Sequence, residues 1–587
     1  MKKGFLIYIV LIGFFSTNAQ EKKKDTIVET EIVNVVTKYN PKIADAKKIK
    51  NNPTIKLIKR SAKKKLNYTI FSAPVASTFI PKTGVVKGID VGIKERIYNN
   101  YIAAGFGNYT SPFAELFIYK NTRFDNEFGV HVKYNASEEN VRNSILNSNF
   151  SNFSAATFFK QEARYFDWKV SLDSERNNYN WYGLPSNRNF SETVVNTIAE
   201  AQNYNYFKLA GDFKFHDSYI ENGTIAAAYF TDKYKSSEIL ADFDANLDLP
   251  LDFLNKDFNE ISVNTGVEFL KGTFKNSYND ATEIDYNQIT LRLHPEYQMN
   301  SLGFSLKAGF KTFVSFDLEN ELTNFLLYPD VLVETPIIKK YINAYAGVTG
   351  NLHTNTYKQF TEENPYVSPT LFITQTAETS NLFIGFKGNL TSALSYHIKA
   401  STKKEEDKPL FFRNNSKSEG TSAVFNGEAI KGYEYGNSFG IFYDDVQTTS
   451  IFAEAEYKYD KHITFASQIQ FDKYTTTNAL ESWNLPTLQG ALLTKYKANK
   501  WYATTNIFYV SERKDALYDA TFPSSLTGIQ TLNSFIDLNL DSGYHFNDKF
   551  SAFLRLNNIL NTDYQRFANF DTQGFQILGG ITYKFDF

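Results

Sequence analysis

The sequence predicts an all-β chain: a transmembrane antiparallel β-barrel of about 22 strands (22–24), preceded by a short basic N-terminal arm. Three observations carry this expectation. Aromatic residues are abundant, with 53 Phe, 38 Tyr and 4 Trp in 587 residues, while Met (2) and Pro (15) are scarce. That balance suits pleated strand surfaces better than helices. From residue 85 onward apolar and polar residues alternate over stretches longer than the ~5–6 residues of ordinary globular strands. Beyond residue 20 no uninterrupted apolar run approaches the ~18 residues of a membrane helix, so a membrane would be crossed by strands.

Composition narrows the function classes. Hydrophobic residues make up 42%, enough for a folded body. Cysteine is absent, which excludes disulfides, thiolate metal sites, a lipidated N-terminal Cys and Cys nucleophiles.

The N-terminus reads as an export signal. Met1-Lys2-Lys3 is a charged head, Gly4 to Phe15 is apolar, and Thr17-Asn18-Ala19 before Gln20 supplies small residues for cleavage after Ala19. Residues 1–19 are therefore expected to be a signal peptide. Residues 20–65 hold 14 Lys and Arg against 5 Asp and Glu, whereas 66–587 hold 46 against 59. A basic periplasmic arm, 20–84, thus precedes an acidic barrel, 85–587. Export makes nucleic acid an unsuitable partner for that arm; anionic envelope polymers or lipid headgroups match its charge better.

Each barrel segment has one apolar and one polar face. Ile451, Ala453, Ala455, Tyr457 and Tyr459 share a face opposite Phe452, Glu454, Glu456, Lys458 and Asp460. Ile463, Phe465, Ile469 and Phe471 oppose Thr464, Gln468, Gln470 and Asp472, and Ile289, Leu291 and Leu293 oppose Gln288, Thr290, Arg292 and His294. Alternate side chains of a strand point to opposite faces, and segments of roughly 9–14 residues suit a tilted bilayer crossing. Short polar turns such as Asn121-Thr122-Arg123 and Thr391-Ser392 join them, and aromatics such as Tyr457, Tyr459, Phe158 and Phe159 crowd strand ends, where interfacial girdles lie. Long loops are expected near 135–150, 183–202, 354–380, 404–434, 512–530 and 561–573. With both termini periplasmic these must follow odd-numbered strands, a parity that a segment around 404–512 breaks; an even total of 22 or 24 restores it, and 22 is the expected count.

The C-terminal segment places Ile577, Gly579, Ile581, Tyr583, Phe585 and Phe587 on one face, with Thr582, Lys584 and Asp586 on the other. It resembles the last strand of outer-membrane barrels, which implies recognition by barrel-assembly machinery. Leu556-Asn557-Asn558-Ile559-Leu560-Asn561-Thr562-Asp563-Tyr564, followed by the strand from Gly574, resembles the C-terminal end of TonB-dependent receptors. Gly574-Phe575 stands where that family often has Gly-Arg, and Thr26-Ile27-Val28-Glu29-Thr30 faintly resembles a TonB box. The 65 residues from 20 to 84 are too few for the family's plug, so the resemblance is to a plug-less receptor barrel.

Barrels of 22 strands enclose a lumen that transporters plug. Inward-folding loops, a partner protein or the basic arm would narrow it. Asp242, Asp244, Asp248, Glu454 and Glu456 are the candidate lumen face. Lys47, Lys48, Lys50, Lys63, Lys64 and Lys65 are candidate plug contacts on an arm with one short helix at Pro41–Lys50; the alternative is a solvated periplasmic tail.

Other motifs fail on chemistry. Asp242-x-Asp244-x-Asn246-x-Asp248 lacks the Gly and the bidentate Glu of a calcium loop, having Leu247 and Phe253 there. Gly436-Asn437-Ser438-Phe439-Gly440 matches G-x-S-x-G but runs on into Ile441-Phe442-Tyr443 as strand, where a nucleophile elbow needs a helix. The seven His are scattered (131, 216, 294, 353, 397, 462, 545). No catalytic residue, metal ligand or cofactor is expected. Tyr179-Asn180-Trp181-Tyr182-Gly183-Leu184-Pro185, at a strand-to-loop junction, reads as an interfacial anchor or as part of a binding rim.

The expected function is that of a channel or receptor for a polar solute in the Gram-negative outer membrane. The alternative is a non-transporting barrel subunit of an outer-membrane complex for surface-protein export or barrel assembly. Expected partners are outer-membrane lipid, the assembly machinery and other envelope proteins.

Overall fold

A computed structural model describes residues 98–122, 126–250, 261–301, 303–519 and 526–587. The expected signal segment, the Thr26–Thr30 stretch, the Pro41–Lys50 segment and the six candidate plug lysines lie outside the described residues.

Among the described residues 22 strands form one antiparallel sheet in which each strand pairs with the next and the last pairs with the first. The first seven are β1 (Asn100–Gly107), β2 (Ser111–Asn121), β3 (Asn126–Ser137), β4 (Phe150–Gln161), β5 (Phe166–Asn180), β6 (Ala201–Phe215) and β7 (Ile220–Asp232). Next come β8 (Ser237–Leu249), β9 (Ile261–Phe274), β10 (Ile284–Ser301), β11 (Phe304–Asp317), β12 (Leu322–Ile338), β13 (Ile342–His353) and β14 (Thr376–Asn389). The last eight are β15 (Leu394–Arg413), β16 (Phe439–Lys458), β17 (Ile463–Thr476), β18 (Leu488–Lys497), β19 (Trp501–Val510), β20 (Phe535–His545), β21 (Phe550–Asn557) and β22 (Gln576–Phe585). The seam runs from Asn100 opposite Phe585 to Gly107 opposite Leu578. Closure leaves no edge strand, so the ladder satisfies the backbone polar groups that hydrocarbon cannot.

Alternation sets the two walls. Leu209, Ile225, Phe243, Ile384, Ile451 and Ile581 stand 47–55% exposed on the outer face, the arrangement lipid stabilises. Their neighbours in sequence, such as Lys208, Asp242, Asp244 and Ser450, turn inward. Phe158 and Phe159 are split by the same rule: Phe159 is exposed outside, while Phe158 lies against Gly129 and beneath Lys169, 5.4 Å from its ring. Only one of the two can join a girdle.

The two rims differ. At one, the described turns close in a few residues, some on local side-chain bonds: Asp460 accepts from His462 and Ile463 N–H (2.7 and 2.8 Å), and Asn547 from Lys549 and Phe550 N–H (2.9 and 2.8 Å). Exposed Tyr165, Tyr219, Tyr341, Tyr459, Trp501 and Phe546 ring this rim, as interfacial aromatics do. At the other rim the connections 138–149, 181–200, 354–375, 414–438, 511–534 and 558–575 are long, and all follow odd-numbered strands. By the length rule this rim is extracellular.

One loop boundary differs from expectation. The loop expected at 404–434 begins only after Arg413, because β15 runs on through the charged run Lys403–Lys408. A bulge between Glu405 and Lys408 absorbs the irregularity while the ladder to β16 continues up to Arg413 opposite Phe439. The total of 22 barrel strands places every one of these long loops after an odd-numbered strand.

Candidate functional site

The inner wall carries charge in clusters. On β8, β9 and β10 the Arg292 guanidinium bonds Asp244 at 3.0 Å, Glu268 at 3.2 Å, and Asp242. Three adjacent strands deliver these groups at one height because Asp242 is in register with Glu268, and Gly266 pairs with both Asp244 and Arg292. Asp248, further along the same face of β8, pairs in register with Ser262 and stays outside the cluster. Glu454 lies on β16, where it takes the His397 Nδ1 at 3.2 Å, and Glu456 lies 3.3 Å from Lys458. The five candidate acids are thus brought together only as the pair Asp242 and Asp244. Arg292 and Glu268 complete that cluster; alternation marked Arg292 as polar-facing, but nothing local marks its partners on other strands.

His294, Glu296 and Asp330 set ligand atoms within 4.8 Å of one another. Their contacts are with one another and with two lysines: His294 lies 2.9 Å from Asp330, Lys307 3.0 Å from Glu296 and Lys311 3.7 Å from Asp330.

The extracellular mouth is roofed by its own loops. The loop 354–375 folds inward and carries the short helix α1 (Tyr357–Glu363), whose Thr356 hydroxyl caps the Gln359 N–H at 3.1 Å. Tyr357 and Phe360 are fully buried against Tyr204, Phe230, Phe274 and Tyr286 of the barrel wall. Polar anchors surround this aromatic core. The Glu238 carboxyl accepts the Tyr357 and Lys358 N–H groups (2.6 and 3.1 Å) and the Tyr286 hydroxyl (2.8 Å). The Tyr357 hydroxyl donates to Asp232 at 2.9 Å. Burial first, and the nearby Asp232 carboxyl second, push that phenol well above its ordinary pKa, so it remains a donor.

Other loops lock onto this one. Tyr366 stacks on Phe570 at 3.7 Å, and its carbonyl accepts the Trp181 indole N–H at 3.2 Å. Arg188 donates to the carbonyls of Ser418 (2.6 Å) and Asp519, tying loop 181–200 to loops 414–438 and 511–534. Arg513 donates to the carbonyls of Gln565 (2.6 Å) and Arg566. Gly432 and Gly420 bring the backbones together: a β-carbon at Gly432 would overlap the Ala199 carbonyl, and Gly420, at φ +104°, would meet the Asn189 carbonyl.

Two sequence readings are settled locally. Trp181 is 1% exposed, packed against Tyr234 and Tyr433, so its ring does not serve as a lipid-facing interfacial anchor; an aromatic cluster at a junction does not reveal which side it faces. Ser438 is fully buried, its hydroxyl donating to the Tyr433 carbonyl at 2.6 Å. The cap residues Glu238, Asp232, Tyr357 and Lys358 carried no sequence signal, because loop contacts have no period.

No protein-family model and no curated protein matches the chain. Solved structures do. The chain aligns with the pyoverdine outer membrane receptor FpvA of Pseudomonas aeruginosa bound to pyoverdine at 14% identity, covering 83% of this chain and 78% of that one, with a TM-score of 0.60. It aligns with a mutant of the ferric enterobactin receptor PfeA of the same organism at 9%, covering 83% and 80%, TM-score 0.58. It aligns with the ferric-catecholate import receptor Fiu of E. coli K12 at 9%, covering 84% and 82%, TM-score 0.60. At such identities the likeness is one of fold: the chain has the closed 22-stranded barrel of the TonB-dependent outer-membrane receptors.

Proposed function

We propose that the protein is a receptor-type transporter of the outer membrane that passes a polar solute along its inner wall, with the folded loops as its outer gate. The observation that carries this reading is the pairing of a charged inner wall, centred on Arg292 and its three carboxylates, with a roof built around α1. A wall of that polarity favours hydrated, hydrogen-bonding cargo over lipid. The roof is tied by hydrogen bonds, many of them to charged side chains such as Glu238, Lys358 and Arg188, and by aromatic contacts, each worth only about 0.5–3 kcal/mol net and so individually exchangeable. The solved receptors of this fold are not enzymes, and the proposal assigns no catalytic step and no cofactor.

The test is single-channel conductance in planar bilayers. The intact protein is expected to be closed or to open in brief events, and a variant with loop 354–375 replaced by a short turn is expected to conduct steadily. Equal conductance in both would overturn the gate.

The completeness of the roof favours a second reading, a barrel subunit that transports nothing and scaffolds other envelope proteins. Stoichiometric co-purification in mild detergent, with no conductance in the loop-shortened variant, would establish it. In either case the proposed signal for the assembly machinery is β22 with Ile577, Ile581 and Tyr583 on its exposed face and Phe585 and Phe587 in edge-on contact at 5.5 Å.

A further inference from the structure

We infer that a recess in the inner wall beneath α1 is a binding subsite for a small zwitterion of amino-acid or dipeptide size. The inference rests on the transport reading and names the chemistry of its cargo.

The recess encloses about 300 Å³, the lower end of the range for small-molecule sites. Its shape follows from strand register. His131, Ala156, Asp173 and Lys208 form one row across β3, β4, β5 and β6, and Lys133, Ser154, Glu175 and Tyr206 form the next row toward the roof. The small side chains on β4, Ala156 and Ser154, leave a hollow between flanking long ones. Lys358 and Glu362 of α1 close it from above.

The charges around the hollow fall into two sets. The roof set is satisfied: the Lys358 ammonium bonds Glu175 at 2.6 Å and Glu362 at 2.8 Å and stands 4.7 Å from the Tyr206 ring centre. In the wall set His131 lies 2.9 Å from Glu115, but Asp173 and Lys208 have no such partner among the described residues. Asp173 and Lys208 face each other in register, yet among the described residues they make no ion pair with each other or with any third group. Opposite charges directly across a ladder ordinarily pair. Here both line the recess and neither reaches the other within ion-pair distance. A molecule carrying an ammonium and a carboxylate a few bonds apart would satisfy both ends at once, the ammonium at Asp173 and the carboxylate at Lys208. A cation or an anion alone would satisfy one and crowd the other, so the site selects for the zwitterion.

The test uses the full chain in detergent and calorimetric titration with glycylglycine, against glycinamide (no carboxylate) and N-acetylglycine (no ammonium). Saturable binding of glycylglycine is expected, with each analogue about tenfold weaker or more, as loss of one charge-assisted bond implies. Asp173→Asn and Lys208→Gln should each weaken glycylglycine by a similar factor while the heat-modifiable migration of a folded barrel is retained. Equal binding by both analogues, unchanged affinity in both variants, or no saturable binding overturns the subsite. Liposome swelling with the loop-shortened barrel separates the two proposals. Swelling by glycylglycine that ignores both substitutions removes the subsite and leaves the transporter. Binding without swelling removes the transporter and leaves the subsite.

Discussion

The Glu238 carboxyl on β8 accepts the backbone N–H of Tyr357, at 2.6 Å, from a loop more than a hundred residues away in sequence. That bond joins wall to roof, and the same carboxyl also holds the Lys358 N–H and the Tyr286 hydroxyl. Glu238→Ala leaves three donors, two of them buried, without their acceptor, each loss being of order 1–3 kcal/mol where water cannot replace it. The barrel ladder does not depend on it. The expected outcome is a folded, heat-modifiable barrel whose 354–375 loop is cut by added protease at least several-fold faster than in the wild type. Unchanged cleavage would show that the aromatic core alone holds α1.

The contrast between ladder and roof explains what the sequence disclosed. Strand content, barrel closure and parity were legible because lipid outside and water inside impose a period of two, as Ile289, Leu291 and Leu293 against Arg292 and His294 illustrate. The upper half of β15 was not, since Lys403 to Lys408 lie where polar groups occupy both faces and a bulge shifts the register. The candidate acids were identifiable as polar-facing, but Asp242 reaches Arg292 across two strand pairings, a relation that only the register of the sheet supplies. The roof was least legible. Trp181 meets Tyr433 and Tyr182 meets Phe570 across hundreds of residues, and no local pattern encodes such contacts.

The loop junctions give a second prediction. Loop 414–438 lies against loop 181–200 so closely that a β-carbon at Gly432 has no room beside the Ala199 carbonyl. Because the obstructing atom is backbone, no rotamer change relieves it. Gly432→Val is expected to part the two loops, exposing the buried cluster of Val194, Ile198 and Tyr435. Binding of a hydrophobic dye to the variant, with an unaltered strand spectrum, is the readout. Gly427→Ala is the control for a loop glycine with open space around it, though its φ of +85° adds local strain; it should not separate the loops.

Acidity should act on the roof through Asp515. Burial, partly opposed by Arg413, raises this fully buried carboxyl above the ordinary Asp value. A carboxyl that holds its proton more tightly when packed than when solvated contributes most to packing below its solvated pKa of about 3.9. That contribution is lost as pH rises through the raised value. Loop 511–534 should therefore loosen with increasing pH. Asp515→Asn keeps an acceptor for the Arg413 and Ala516 N–H groups, now at 3.0 and 2.8 Å, but cannot ionise. Hydrogen exchange of residues 513–518 is expected to accelerate from mildly acid to neutral pH beyond the intrinsic rate in the wild type, and not in Asp515→Asn. An identical pH profile for both proteins would remove Asp515 as the cause.

The inner wall yields the last prediction, through the arginine that holds three acids together. Arg292 and its partners Asp242, Asp244 and Glu268 are 14–30% exposed by side chain, so water screens part of their interaction and removing the cation should destabilise the barrel by only about 1–2 kcal/mol. The electrostatic consequence for permeation is larger than the structural one. Arg292→Met leaves three carboxyls on neighbouring strands with no counter-charge, a local field that attracts cations and repels anions. Reversal potentials measured across a salt gradient in the loop-shortened barrel should shift toward cation selectivity. Asp242→Asn added to Arg292→Met should take part of the shift back, because it removes one of the three unpaired acids without altering shape. If the single substitution left selectivity where it was, ions would not pass near β8 to β10. The transport path would then run along another part of the wall.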